Sequence, residues 1–330
     1  MSYLTNSYDN KRIQLKNRLV MPPMATAKAD DDGKVSKGIL EYYDEKSKGG
    51  FISLIIIEHS YISEEGKASL NQLSVADDSC IDYLKKLADI IHENGSKAVM
   101  QINHAGSLAR NEVTENPVGP SPILNPRGLN GSIPRELTKE DIQGIIIKFK
   151  EAALRVKAAG FDGVEIHSAH GYLLNQFLSP LTNNRTDEYG VNLRGRIKLH
   201  IETIKAVREA VGSDYPILLR LGASDYTNGG TTIEDSKIAA QSFEKAGVDI
   251  IDISGGFCGF ILPDNNEQGY FSSLSVAVKN VVKIPVILTG GITNALAAEK
   301  LLKEGKADFI GVGRPILNDS KWAKKAIESL

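Results

Sequence analysis

Only two cysteines occur among the 330 residues, Cys80 and Cys258, far apart and outside any Cys-x-x-Cys pattern. That shortage argues against a disulfide scaffold, a structural zinc site and a cysteine-ligated iron-sulfur cluster, and it fits a reducing cytoplasm. Long apolar runs are missing as well, since the longest, Phe51 to Ile57, falls far short of the ~20 residues that cross a bilayer. The opening Met1-Ser-Tyr-Leu-Thr-Asn-Ser-Tyr-Asp-Asn10 has neither the basic start nor the apolar core of a secretory signal, so a cytoplasmic location is expected. Charge of one sign is not in excess: 39 Lys and Arg stand against 41 Asp and Glu. A net charge of −2 gives no electrostatic pull toward nucleic acid or a membrane surface, and neither is an expected partner. Low-complexity tracts, charge blocks and an interdomain linker are also lacking.

What is present is an ordinary globular balance, 42% apolar and 24% charged, with enough chain for a sizeable core. One unit recurs, a helix-like segment ending near glycine and followed by a short apolar run. It reads Gly49-Gly-Phe-Ile-Ser-Leu-Ile-Ile-Ile57, Asn94-Gly-Ser-Lys-Ala-Val-Met-Gln-Ile102, Ala159-Gly-Phe-Asp-Gly-Val-Glu-Ile166, Ala246-Gly-Val-Asp-Ile-Ile-Asp-Ile253 and Glu304-Gly-Lys-Ala-Asp-Phe-Ile-Gly-Val312. Adding Leu19 to Met21, Ile217 to Leu221 and Pro285 to Thr289 gives eight candidate parallel strands separated by crossover helices. Nearly every strand ends in polar or glycine-rich chemistry. An open sheet concentrates such ends at one switch point, whereas a (β/α)8 TIM barrel gathers all of them round one mouth, so one barrel domain over residues 1–330 is expected. Two decorations are readable: an N-terminal hairpin cap around Lys11 to Arg18, and a loop excursion over the mouth, Ala105 to Pro134, after the third strand.

At the last two strands, Thr289-Gly-Gly-Ile-Thr293 and Gly311-Val-Gly-Arg314 put small residues before helix starts, where backbone amides can cradle a phosphate and Arg314 adds a charged fork. Tight turns with no ligand are the competing reading. The densest segment runs from Glu165 through His167, His170 and Tyr172 to Gly190. Two histidines can donate to one oxygen, and a phenol that stays protonated near neutrality can give a proton, which suits carbonyl chemistry. A metal pair would need a third ligand, and no metal is expected. Arg220, among apolar neighbours, needs an anionic or polar partner: a cofactor ring, or Glu165 or Asp252 inside the barrel. Gln101 can pair with a donor and an acceptor of a heterocycle. Glu58, Glu165 and Asp252 read as support, and His92 and His200 as surface or packing residues.

Taken together, the chain resembles the Old Yellow Enzyme family of FMN-dependent ene-reductases, as a single-domain bacterial-type member. The resemblance rests on Lys16-Asn-Arg-Leu-Val-Met-Pro-Pro-Met24, on Gln101 with His104-Ala-Gly106, and on His167-x-x-His170-Gly-Tyr172 with Leu178-Ser-Pro-Leu-x-Asn-x-Arg185-x-Asp-x-Tyr-Gly190. Arg220 and Gly313-Arg314 complete it. It implies bound FMN, NADPH or NADH as hydride donor, and a small enone-type substrate. His167 and His170 would hold the substrate's oxygen, and Tyr172 would protonate its α-carbon. Pro23, Met24, Ala25, His59, Gln101 and Arg220 would surround the flavin, with Gly291, Gly313 and Arg314 on its phosphate. The chain departs from the family at Ala25, where a cysteine or threonine often bonds the flavin edge. It departs again at Ala27, where one subgroup has tyrosine, and at His59, where a small residue is common. With two cysteines the chain cannot form the cluster of its larger relatives, so a stand-alone reductase is expected. A flavin sensor or storage barrel with little turnover, and a phosphate-binding barrel lyase or isomerase, are the alternatives. Self-association as a homo-oligomer is left open.

Overall fold

The structure is a computed structural model that describes residues 2–128 and 131–330. Eight parallel strands close into a barrel in chain order: β1 (Leu19–Met21), β2 (Leu54–Tyr61), β3 (Lys97–Asn103), β4 (Gly163–Ser168), β5 (Ile217–Gly222), β6 (Ile250–Ser254), β7 (Val286–Thr289) and β8 (Phe309–Gly311). The last strand returns to the first through Ile310 beside Leu19 and Gly311 beside Val20. Between them lie the crossover helices α1 (Lys37–Ser47), α2 (Ile81–Glu93), α3 (Lys139–Ala158), α4 (Lys198–Val211), α5 (Ile233–Ala246), α6 (Ser272–Lys279) and α7 (Ala295–Lys303), with α8 (Trp322–Glu328) closing the chain. The expected (β/α)8 TIM barrel is the observed fold.

Local chemistry explains the punctuation. Thr138 with Asp141 forms a capping box that opens α3, and Thr232 with Asp235 does the same for α5. The glycines expected at αβ junctions take the left-handed conformation that stops a helix, Gly95 at φ +87° and Gly160 at φ +85°. No helix among the described residues is long and apolar enough to cross a membrane.

Two-residue periodicity then sorts the side chains into layers. Outward residues such as Ile55, Met100, Ile166 and Leu219 join the main core between strands and helices. Inward residues at the amino end of the barrel form a second, separate cluster of Val20, Leu54, Ile56, Val99, Leu218, Ile250, Ile287 and Phe309. Ile13 and Leu15 plug this end from below, carried by the hairpin that pairs Tyr8–Asp9 with Gln14–Leu15. Each such buried side chain contributes about 1.5–3 kcal/mol, so the lower barrel is a packed apolar floor and not a channel. The hairpin cap is thus present and sits opposite the mouth. Of the excursion after β3, Leu129 and Asn130 lie outside the described residues. Its described part docks on the mouth through Asn125, which donates to Ser107 and to the Gly171 carbonyl, and through Arg127.

Candidate active site

One step further along each strand, the inward positions change from apolar to polar. Above the apolar layer come Gln101, Glu165, Arg220, Asp252 and Thr289, all at inward parity. They bind one another: Gln101 donates to Glu165 at 2.7 Å, Thr289 donates to Asp252 at 3.2 Å, and Arg220 Nε lies 3.3 Å from Asp252 Oδ2. Burial pushes both carboxyl groups upward, that of Glu165 the more because the Asp252 charge adds to the effect, while Arg220 opposes it. Two acids and one guanidinium therefore share this layer without both acids ionising fully. Arg220 Nε, Asp252 Oδ2 and Glu165 Oε1 have no hydrogen-bond partner among the described residues. Of the two partners open to Arg220, the barrel supplies Asp252. Arg220 Nε and Asp252 Oδ2 face each other in that ion pair, which leaves Glu165 Oε1 without a partner among the described residues.

At the end of β4 the chain turns sharply into the short helix Leu173–Leu178. His170 adopts φ +60° and Gly171 φ +79°, a conformation that costs a non-glycine residue about 1–2 kcal/mol. Neighbours over-determine it. Arg127 Nη1 donates to the His170 carbonyl at 2.8 Å, Gly171 N–H to Asn175 Oδ1 at 2.7 Å, and Gln176 Nε2 to the Gly171 carbonyl at 2.7 Å. The strained turn brings three rings together: His167 lies 5.1 Å from His170 and 5.0 Å from Tyr172, centroid to centroid. His170 Nε2 is 2.7 Å from Ser254 Oγ, and His167 Nδ1 has no partner among the described residues. Burial holds both imidazoles well below their usual range, hence neutral, and raises the Tyr172 phenol, hence protonated.

His59 joins this group by an irregularity of β2. Ile57 pairs with Met100 but Ser60 pairs with Ile102, so Glu58 and His59 together stand opposite Gln101. Such a bulge turns two consecutive side chains toward one face. His59 Nε2 is 3.2 Å from the Tyr172 hydroxyl, and its Nδ1 is 2.6 Å from Gln72 Nε2. Glu58 accepts from the backbone and hydroxyl of Thr26 in the loop after β1. Burial nevertheless raises the Glu58 carboxyl to about 7.

The remaining predicted residues form a rim. Pro23 and Met24 are half-buried and Ala25 exposed in the loop after β1. A Cβ added to Gly313 would lie 3.3 Å from Met24 Sδ, so the loops after β1 and β8 touch. Gly291 takes φ +67° and approaches the Tyr270 ring, where a Cβ would come to 2.5 Å. Arg314, exposed, lies beside the same Tyr270 phenol. His104 belongs elsewhere: its Nδ1 accepts from Gly106 and its Nε2 faces Glu65 at 3.9 Å. His200 is a packing residue, stacked on Phe243, and His92 binds Asp162 at 2.6 Å. Sequence reasoning missed Ser254, Gln72, Arg127, Asn175 and Tyr270. Only Ser254 carried a signal, as an inward position at a strand end. No group of three His, Cys, Asp or Glu among the described residues is arranged to hold a metal ion.

The family model described as "NADH:flavin oxidoreductase / NADH oxidase family" matches residues 8–330. The chain is 42% identical over 338 residues to NADH oxidase of Thermoanaerobacter brockii, a match covering 99% of this chain and 52% of that protein. It thus spans about half that relative's length. It is 40% identical over 322 residues to NADPH dehydrogenase of Bacillus licheniformis, covering 97% of this chain and 92% of the other. The solved structure of the old yellow enzyme homologue from Zymomonas mobilis superposes with a TM-score of 0.86 at 26% identity, covering 99% and 92% of the two chains.

Proposed function

Since the chain belongs to the NADH:flavin oxidoreductase / NADH oxidase family, whose cofactors are FMN and NAD(P)H, we propose that it is an ene-reductase acting on α,β-unsaturated carbonyl compounds and related activated alkenes. The observation that carries this reading is the convergence of His167, His170 and Tyr172 within about one ring diameter above a buried polar floor. The residues fit a flavin. Buried Glu165 Oε1 and His167 Nδ1 have no hydrogen-bond partner among the described residues, and the Gly291 turn leaves room for backbone approach only. Gln101 and Arg220 would meet the ring's polar edge, Pro23, Met24 and Ala25 its flank, and Gly291, Gly313 and Arg314 its phosphate.

When bound, FMN supplies hydride chemistry, taking a hydride from NAD(P)H and returning it to an electrophilic carbon. The protein's part is polarisation and proton supply. Neutral His167 and His170 donate to the carbonyl oxygen, drawing electron density from the β-carbon and binding the oxygen more tightly as charge develops on it. Tyr172 gives its proton to the α-carbon, and solvent restores it. The sum is one hydride and one proton added across the double bond, with NAD(P)H oxidised to NAD(P)+. The pocket's neutral donors favour an uncharged carbonyl or nitro group over a carboxylate.

An anaerobic visible spectrum tests the reading. Yellow absorbance should bleach with NAD(P)H and return on adding cyclohex-2-enone. A protein that is yellow and bleaches but is not restored by enones refutes the ene-reductase reading, and one that binds no FMN refutes the flavin assignment.

A further inference from the structure

The hydrogen-bond network behind Tyr172 has a direction set by a group that can only donate. The backbone N–H of Ala68 donates to Gln72 Oε1 at 2.7 Å, which fixes the amide's orientation. The Gln72 NH2 group therefore faces His59, where it reaches the backbone carbonyl at 3.0 Å and Nδ1 at 2.6 Å. Nδ1 must accept, so the ring proton of a neutral His59 sits on Nε2, 3.2 Å from the Tyr172 hydroxyl. The phenol oxygen accepts from His59, and its own proton has no acceptor among the described residues.

We propose that His59 is a positioning residue for Tyr172. Through Nε2–H it holds the phenol oxygen, leaves the phenol proton free for the substrate, and keeps a donor on the phenolate that remains after transfer. The assignment rests on the ene-reductase reading for the proton's destination, while the hydrogen-bond direction stands independently of it. Its origin is the β2 bulge, without which His59 would face the helices. Burial lowers the His59 imidazole to about 4, so the ring stays neutral across the working range. Gln72 is itself buried, which makes the relay a fixed element of the wall.

Two measurements test it on the FMN-loaded protein. First, 15N-histidine NMR, with His59 located among the six histidines as the signal lost in His59→Gln, should show a neutral ring protonated on Nε2. A ring protonated on Nδ1 overturns the proposal. Second, Gln72→Glu keeps the Ala68 contact but places a carboxylate on Nδ1. That draws the ring proton to Nδ1, makes Nε2 an acceptor and captures the phenol proton.

The limiting rate of re-oxidation by cyclohex-2-enone should then fall about tenfold relative to reduction by NAD(P)H, as expected for one misdirected hydrogen bond. Its solvent isotope effect should rise. His59→Gln, which retains an amide donor, should keep more of the rate than His59→Leu. Equal loss in both half-reactions, or wild-type re-oxidation in Gln72→Glu and His59→Leu, refutes the positioning role. Should the wild-type protein itself reduce no enone, the functional reading fails and the NMR result alone decides whether His59 holds the phenol.

Discussion

His200 should make the fold acid-labile by an amount that can be worked out. The side chain projects from α4 into the core, fully buried, stacked on Phe243 at 5.1 Å and 17°, with Nε2 2.8 Å from Ser168 Oγ. Burial lowers its imidazole to about 3, against about 6.5 in an unfolded chain. A base with a depressed folded pKa leaves the unfolded state holding the extra proton, so its contribution is complete above the unfolded value and is lost as pH falls below it. Between pH 7 and pH 5 the loss is about 1.36 kcal/mol per pH unit over roughly 1.4 effective units, or about 2 kcal/mol from this one residue. His200→Phe removes the titration and keeps an aromatic ring against Phe243. Urea unfolding of both proteins at the two pH values yields a difference of differences, in which the variant's own packing loss cancels. The variant should gain about 2 kcal/mol on the wild type on going from pH 7 to pH 5. A change below about 0.5 kcal/mol would mean that His200 titrates near its free value and is not sealed from water.

Tyr172→Phe should slow re-oxidation by an enone by about 100-fold or more, and far more than it slows reduction by NAD(P)H, since only the former consumes the phenol proton. Equal slowing in stopped-flow traces would remove Tyr172 from the proton step. Ile56→Ala, in the packed floor at 0% exposure, should destabilise the protein by about 2–5 kcal/mol in a denaturant titration. A loss under about 1 kcal/mol would show that the layer collapses round the gap. Gly291→Ala puts a Cβ against Tyr270 at a positive φ, so the purified protein should carry markedly less FMN while its far-UV circular dichroism stays that of the barrel. Full flavin loading would take this turn out of the phosphate site.

Much of this was legible along the chain because it depends on neighbours in sequence. Repeating αβ junctions follow from glycine's access to positive φ and from period-two apolar runs, as at Asn94-Gly95 and Ala159-Gly160. The histidines and tyrosine of 167–172 are close in sequence, so any strand end there keeps them close in space. Arg220's need for a partner could be stated from its apolar surroundings, but the choice of Asp252 over Glu165 required the register of β5 against β6. Gln72 and Arg127 left little trace, because each reaches the site from a loop distant in sequence.

The sequence by itself determined the eight-strand count, the parallel connections and the cluster of donors at the strand ends, since these arise from local periodicity, turn chemistry and burial preference. Tertiary structure alone decided where polar replaces apolar inside the barrel, which acid meets Arg220, and how the bulge of β2 carries His59 to Tyr172. The physical reason is that a register shift of one residue reverses which face a side chain occupies. That shift is set by pairing with β3, not by the residues of β2.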